Sequence, residues 1–76
     1  MKAKNTLEVW DQLSKAADVN QINKHVSIYK QSRHKKAFVL PSTQIPFTIW
    51  NAINQKVRDL GGCWSLAQGL WEVPLA

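Results

Sequence analysis

The sequence is poor in cysteine and has no long apolar run. Cys63 is the only cysteine among 76 residues, so no disulfide can form within the chain, and a lone thiol is typical of a reducing compartment. No segment approaches the roughly 20 apolar residues of a membrane-spanning helix. Glu8 and Asp11 lie where a secretory signal peptide would have its apolar core. We therefore expect a single domain, residues 1–76, in the cytoplasm and without membrane association.

Side chains that could perform catalysis or hold a metal are also scarce. Cys63 follows Gly61-Gly62 at the expected end of a helix, where the helix dipole does not stabilise a thiolate, so we predict that it is a small buried apolar residue. The five carboxylates form no evident pair, and there is no Gly-rich phosphate loop. Cys63, His25 and His34 are spaced unlike the ligands of zinc motifs. The sequence favours a binding protein that is no enzyme and needs no metal or cofactor.

Acidic residues are missing altogether from the middle of the chain. Ten Lys and Arg against five Asp and Glu give a net charge of +5, and no acid lies between Asp18 and Asp59. The Lys and Arg residues of that interval are Lys24, Lys30, Arg33, Lys35, Lys36, Lys56 and Arg58. On so small a domain these charges produce a positive field that attracts polyanions. DNA or RNA is therefore the partner that we expect, with the protein acting as a regulator or accessory factor.

Capping residues and hydrophobic periodicity predict two helices. The first begins at a capping box, Asn5-Thr6-Leu7-Glu8, in which Asn5 accepts a hydrogen bond from an early amide and Glu8 reaches back. Its predicted apolar face carries Leu7, Trp10, Leu13 and Ala17. The second covers residues 46–60, with Pro46 in its first turn and Gly61-Gly62 after its last. Its apolar stripe comprises Trp50, Ile53, Val57 and Leu60.

Residues 18–30 allow two interpretations. Val19, Ile22, Val26 and Tyr29 would share one face of a helix capped by Asp18, whereas residues 25–29 alternate and are rich in strand formers. With residues 37–40 the second interpretation makes a hairpin, and residues 63–66 and 70–73 make another. The favoured fold is α+β: two helices packed on a small antiparallel sheet of two hairpins, in the order helix, hairpin, helix, hairpin. The alternative order, helix, helix, strand, helix, hairpin, approaches a winged helix.

Two sets of side chains are candidates for contacts with nucleic acid. The basic connection of the first hairpin would neutralise phosphates through Lys30, Arg33, Lys35 and Lys36. On the exposed face of the second helix, Asn51, Gln55 and Arg58 could bond base edges, and Lys56 could touch phosphate. Thr48 and either Asn54 or Gln55 complete that face. Both sets also have a plain interpretation, because charged turns and polar outer helix faces are ordinary in small proteins.

Four tryptophans must supply much of the core of this short chain. Trp10 and Trp50 are predicted to point inward, and Trp64 and Trp71 to pair across the terminal hairpin. If that pair faced outward, it would form the anchor of a protein interface. The chain would then be a small inhibitor or adaptor, of the kind that phages and plasmids carry, docking on an acidic protein partner. A homodimer is also compatible with so small a core.

Overall fold

The computed structural model describes residues 3–31, 33 and 35–76. The helices and strands of this part of the chain follow in the order α1 (Thr6–Ser14), α2 (Val19–His25), β1 (Val26–Gln31), β2 (Lys36–Pro41), α3 (Phe47–Asp59), β3 (Cys63–Ser65) and β4 (Leu70–Pro74). The strands form one antiparallel sheet in the order β1-β2-β4-β3. An α+β domain with an antiparallel sheet is thus confirmed. The described residues form three helices, as in the alternative order, and not the two of the favoured order.

The extra helix, α2, comes from the segment of residues 18–30, of which the first part is helical and the second part is a strand. The carboxylate of Asp18 accepts a hydrogen bond from the amide of Asn20 at 2.9 Å, and α2 buries Ile22. At Val26 the backbone becomes extended, and β1 pairs with β2 along its whole length. The helix through Tyr29, on which the winged-helix alternative depended, is wrong. Strand formers are concentrated after residue 25, where ladder bonds to β2 outweigh continuation of a short helix.

Helix α1 has the predicted capping box, and its buried face agrees with the prediction except at Leu7. The Glu8 amide donates to Asn5 Oδ1 at 2.9 Å, and Glu8 Oε2 accepts from the Lys4 amide at 2.7 Å. Val9 and Leu13, one turn apart, are fully buried, whereas Leu7 is 74% exposed. The helix also ends at Ser14 and does not reach Ala17. Trp10, Leu13 and Ala17 pack in or against the core as predicted, whereas Leu7 is wrong, because contacts with β1 and α3 bury Val9 in its place.

Helices α1 and α3 pack on one face of the sheet. Strand side chains alternate between the two faces, and the inward set on β2 and β4 has no exposed surface: Ala37, Val39, Trp71 and Val73. These residues meet Ile53, Val57 and Leu60 of α3 and Val9 and Leu13 of α1 in one core. No polar or charged side chain is buried among the described residues. The core is therefore entirely apolar apart from the indole N–H groups.

The opposite face of the sheet is covered by no described helix, and we refer to it as the open sheet face. Its middle row crosses all four strands through the paired positions Tyr29, Phe38, Glu72 and Cys63. Ser27 and Leu40 lie on one side of this row, and Lys36 lies on the other. Tyr29, Leu40 and Cys63 are exposed. The domain thus has one packed face and one accessible face.

Candidate nucleic-acid interface

Three lysines meet at the end of the sheet where β1 turns into β2. Lys4, Lys30 and Lys35 line one shallow pocket of about 160 Å³, together with Leu75 and Ala76. A parallel bridge between Ala3 and Leu75 places Lys4 there, and the Leu75 amide donates to the Lys35 carbonyl at 2.8 Å. We call Lys4, Lys30 and Lys35 the lysine cluster. It unites two of the predicted residues with Lys4, which sequence reasoning missed because Lys4 lies outside the acid-free interval.

No described carboxylate forms an ion pair with the lysine cluster. None of its three ammonium groups lies within 4.0 Å of a described carboxylate. Lys36 differs, since its Nζ lies 3.6 Å from Glu72 Oε1 on the open sheet face. Arg33 is exposed in the turn between β1 and β2. The predicted basic connection is thus divided, with Lys30 and Lys35 in the cluster and Lys36 beside an acid.

Lys35 has an unusual backbone conformation. Its φ is +48°, in the left-handed region that costs a residue with a side chain about 1–2 kcal/mol relative to glycine. Glycine or asparagine is the usual residue at such a position in a turn. The turn therefore holds, at an energetic cost, a lysine that lines the same pocket as Lys4 and Lys30.

Helix α3 exposes most of the polar face that was predicted to contact bases. Thr48, Asn51, Gln55 and Arg58 are all exposed. Asn54 is not available to contact a base, because its Oδ1 accepts a 3.1 Å hydrogen bond from Trp71 Nε1. The choice between Asn54 and Gln55 therefore falls on Gln55, and Asn54 has a structural role.

The two predicted sets of residues approach each other at one end of the domain. A Cβ on Gly61, just after α3, would lie 3.9 Å from Pro74 Cγ, and Pro74 pairs with Lys36. Arg58, in the last turn of α3, is therefore near the end of the sheet that holds the lysine cluster. Lys56 instead lines a pocket of about 220 Å³ with Asp59 and Ala16. Arg58 is thus closer in the chain to this end than Lys56, and neither residue lines the pocket of the lysine cluster.

The tryptophans belong to the core and its edge. Trp64 and Trp71 are directly paired, with ring centroids 4.9 Å apart, and Trp50 lies 5.4 Å from each. The predicted cross-strand pair and its inward orientation are confirmed. Trp71 is fully buried and Trp64 partly so, which makes Trp71 wrong as the anchor of a protein interface. Phe47, which sequence reasoning did not single out, is 75% exposed and stacks on Trp50.

The prediction that Cys63 is buried is wrong, because the residue is exposed. On the short strand β3 the alternate residue Trp64 occupies the core side, so Cys63 points to the open sheet face. Of the other candidate metal ligands, His25 shares a 2.8 Å hydrogen bond with Ser42 Oγ, and His34 lies outside the described residues. Within residues 3–31, 33 and 35–76, no three His, Cys, Asp or Glu side chains form a group able to hold a metal.

The acidic residues of α1 border a surface of a different kind. Leu7, Trp10 and Val19 line a groove of about 430 Å³ between α1 and α2, with Glu8 and Asp11 at its rim. Lys15 Nζ lies 3.5 Å from Asp11 Oδ2. Apolar and acidic groups are thus gathered on the helices, while the lysine cluster lies at the turn end of the sheet.

The comparisons with protein-family models, with curated proteins and with solved structures find no match for this chain. In the described part of the chain, no helix is both long enough and apolar enough to cross a membrane. Hypotheses about function therefore depend on the geometry of the surface.

Proposed function

We propose that this protein binds nucleic acid, DNA or RNA, as a small regulator or accessory factor, and that the lysine cluster contacts the phosphates. The observation that carries the proposal is that Lys4, Lys30 and Lys35 line one pocket and form no ion pair with a described carboxylate. Like charges held together repel one another. A phosphate oxyanion among them removes that repulsion and releases its own counterions, which favours binding.

The conformation of Lys35 supports the same site. Backbone strain at a residue persists where the surrounding structure imposes it, and such positions are enriched at binding sites. Here the strained residue is one of the three cations around the pocket. A glycine would relieve the strain but would remove the charge.

Residues near the lysine cluster extend the proposed contact. Arg33 in the turn and Arg58 at the end of α3 add to the positive field. Asn51 and Gln55 continue along the exposed face of α3 and offer amide groups to a base edge. Lys36 contributes less, because Glu72 shares its charge.

The protein-binding alternative has weaker support. Of its predicted anchors, Trp71 has no exposed surface and Trp64 is partly buried against the core. The apolar groove between α1 and α2 has Glu8 and Asp11 at its rim, so its charge would suit a basic partner and not the acidic partner that the sequence suggested. Nucleic acid is therefore the proposal that the geometry supports better.

The test is the salt dependence of binding to single-stranded and duplex oligonucleotides, measured by fluorescence anisotropy. The variant Lys30→Gln/Lys35→Gln should reduce the slope of log Kd against log salt by about 1.4–1.8, since each lost phosphate contact contributes about 0.7–0.9. The matched control is Lys15→Gln/Lys24→Gln, which removes two positive charges elsewhere and should keep the slope nearly unchanged. Equal slopes in both variants and the unaltered protein would contradict the proposal.

A further inference from the structure

We infer that the nucleic acid is single-stranded and that its bases stack on Tyr29 and Phe38 of the open sheet face. This inference rests on the proposed function and specifies the ligand of the same surface. Tyr29 and Phe38 are directly paired on β1 and β2, with ring centroids 5.6 Å apart and ring planes at 84°. Tyr29 remains 46% exposed although it contacts Phe38. The two rings thus meet edge to face on the open sheet face, where Tyr29 is exposed and Phe38 is partly exposed.

The position of the rings relative to the cations favours a nucleic acid strand. Lys36 lies on the open sheet face two residues before Phe38, a separation of about 7 Å along the strand. Lys30 follows Tyr29 directly, so its side chain lies on the other face of β1, at the end of the sheet that holds the lysine cluster. A strand whose bases cover the rings would therefore have phosphates near Lys36, and would meet the lysine cluster where it passes the end of the sheet. Aromatic stacking accepts every base, and such platforms are typical of proteins that bind single strands.

The shape of the sheet disfavours a duplex at this face. Four strands span about 14 Å at roughly 4.8 Å per strand, and the major groove of B-DNA is about 12 Å wide and admits a helix or a two-stranded ribbon. Bases of an intact duplex are also stacked on one another and cannot reach the rings. Duplex DNA could still contact the lysine cluster through phosphates alone. The rings are therefore the feature that should distinguish a single strand from a duplex.

The experiment compares binding of a labelled single strand of about 12 nucleotides, within the range that small single-strand-binding folds cover, with binding of its duplex. The variant Tyr29→Leu/Phe38→Leu keeps apolar side chains but removes both rings. It should weaken single-strand binding by about 10- to 100-fold, leave the salt slope unchanged and leave duplex binding unaffected. Phe47→Leu is the control, since it removes a ring that is more exposed than Tyr29 but lies elsewhere, and it should change neither affinity.

Failure of this inference is distinguishable from failure of the proposed function. If the ring variant binds the single strand as tightly as the unaltered protein, the inference is wrong while phosphate binding at the lysine cluster stands. If the unaltered protein binds neither oligonucleotide, both proposals fail. A preference for the duplex in the unaltered protein would likewise contradict the inference.

A second measurement needs no variant and so does not depend on how the substitutions fold. Cys63 is exposed in the same row of the open sheet face as Tyr29 and Phe38. A saturating single strand should slow alkylation of Cys63 by a maleimide several-fold, whereas an unchanged rate would count against stacking on this face. If the face instead joins two copies of the chain, sedimentation equilibrium will show a dimer and Cys63 will be protected without oligonucleotide. That result would overturn the inference.

Discussion

The indole N–H of Trp71 donates a hydrogen bond to the side-chain oxygen of Asn54, 3.1 Å away. This bond joins the middle of α3 to β4 and satisfies the polar atom of a fully buried ring. A buried donor without a partner costs free energy. Asn54 therefore stabilises the fold, although it lies beside the polar face that we propose contacts bases.

The variant Asn54→Leu should lower the free energy of unfolding by about 1–3 kcal/mol, because it leaves Trp71 Nε1 without its acceptor. Urea denaturation followed by tryptophan fluorescence measures the change. The control Asn51→Leu, at an exposed position of the same helix, should change the free energy of unfolding by less than about 0.5 kcal/mol. Similar losses in both variants would show that the hydrogen bond has no special role.

Replacement of Lys35 should separate stability from binding. Lys35→Gly relieves left-handed strain of about 1–2 kcal/mol, partly offset by the greater freedom of glycine in the unfolded chain, so we expect the free energy of unfolding to rise by about 0.5–1 kcal/mol. The same change should weaken oligonucleotide binding, since it removes a cation from the lysine cluster. Lys30→Gly is the comparison: in a regular strand it should weaken binding and lower stability. Denaturation and anisotropy titrations of the two variants give both quantities.

Gly62 should tolerate no side chain. A Cβ there would lie 2.5 Å from the Glu72 carbonyl oxygen and 2.8 Å from Val57 Cγ1, so Gly62→Ala must displace β4 or α3 and should cost about 1–3 kcal/mol of stability. At Gly69, with φ +69°, a Cβ would have no neighbour within 4 Å. Gly69→Ala should therefore cost only the backbone strain, about 1 kcal/mol. Thermal or urea denaturation that ranked Gly69→Ala as the more damaging change would contradict the packing at Gly62.

Glu72 should act against nucleic acid binding, because its carboxylate lies on the open sheet face and shares the charge of Lys36. Glu72→Gln should strengthen oligonucleotide binding several-fold at low salt, with a change in stability of less than about 1 kcal/mol, as is usual for a partly exposed ion pair. Asp11→Asn alters the net charge equally but lies on α1, and should have a smaller effect on affinity. Equal gains in the two variants would mean that only the total charge matters.

Much of the local structure could be predicted from short stretches of sequence. Asn5 and Asp18 cap helices through side-chain bonds to amides two or three residues away. The apolar stripe of α3 and the glycines after it place that helix almost correctly. Residues 18–30 could not be settled in this way, because a short helix and a strand were both compatible with their pattern. The end of α2 is decided by the pairing of β1 with β2, which involves residues distant in sequence and which no local pattern predicts.

The sequence by itself determined the net charge, the capping residues and the alternation of side chains between the two faces of β1 and β2. Each of these depends only on neighbours along the chain. Only the tertiary structure decided that α1 buries Val9 and not Leu7, and that Cys63 is exposed. It also decided that Lys4 joins Lys30 and Lys35, through the bridge between Ala3 and Leu75. These outcomes depend on strand register and helix packing, in which residues far apart in sequence compete for one small core.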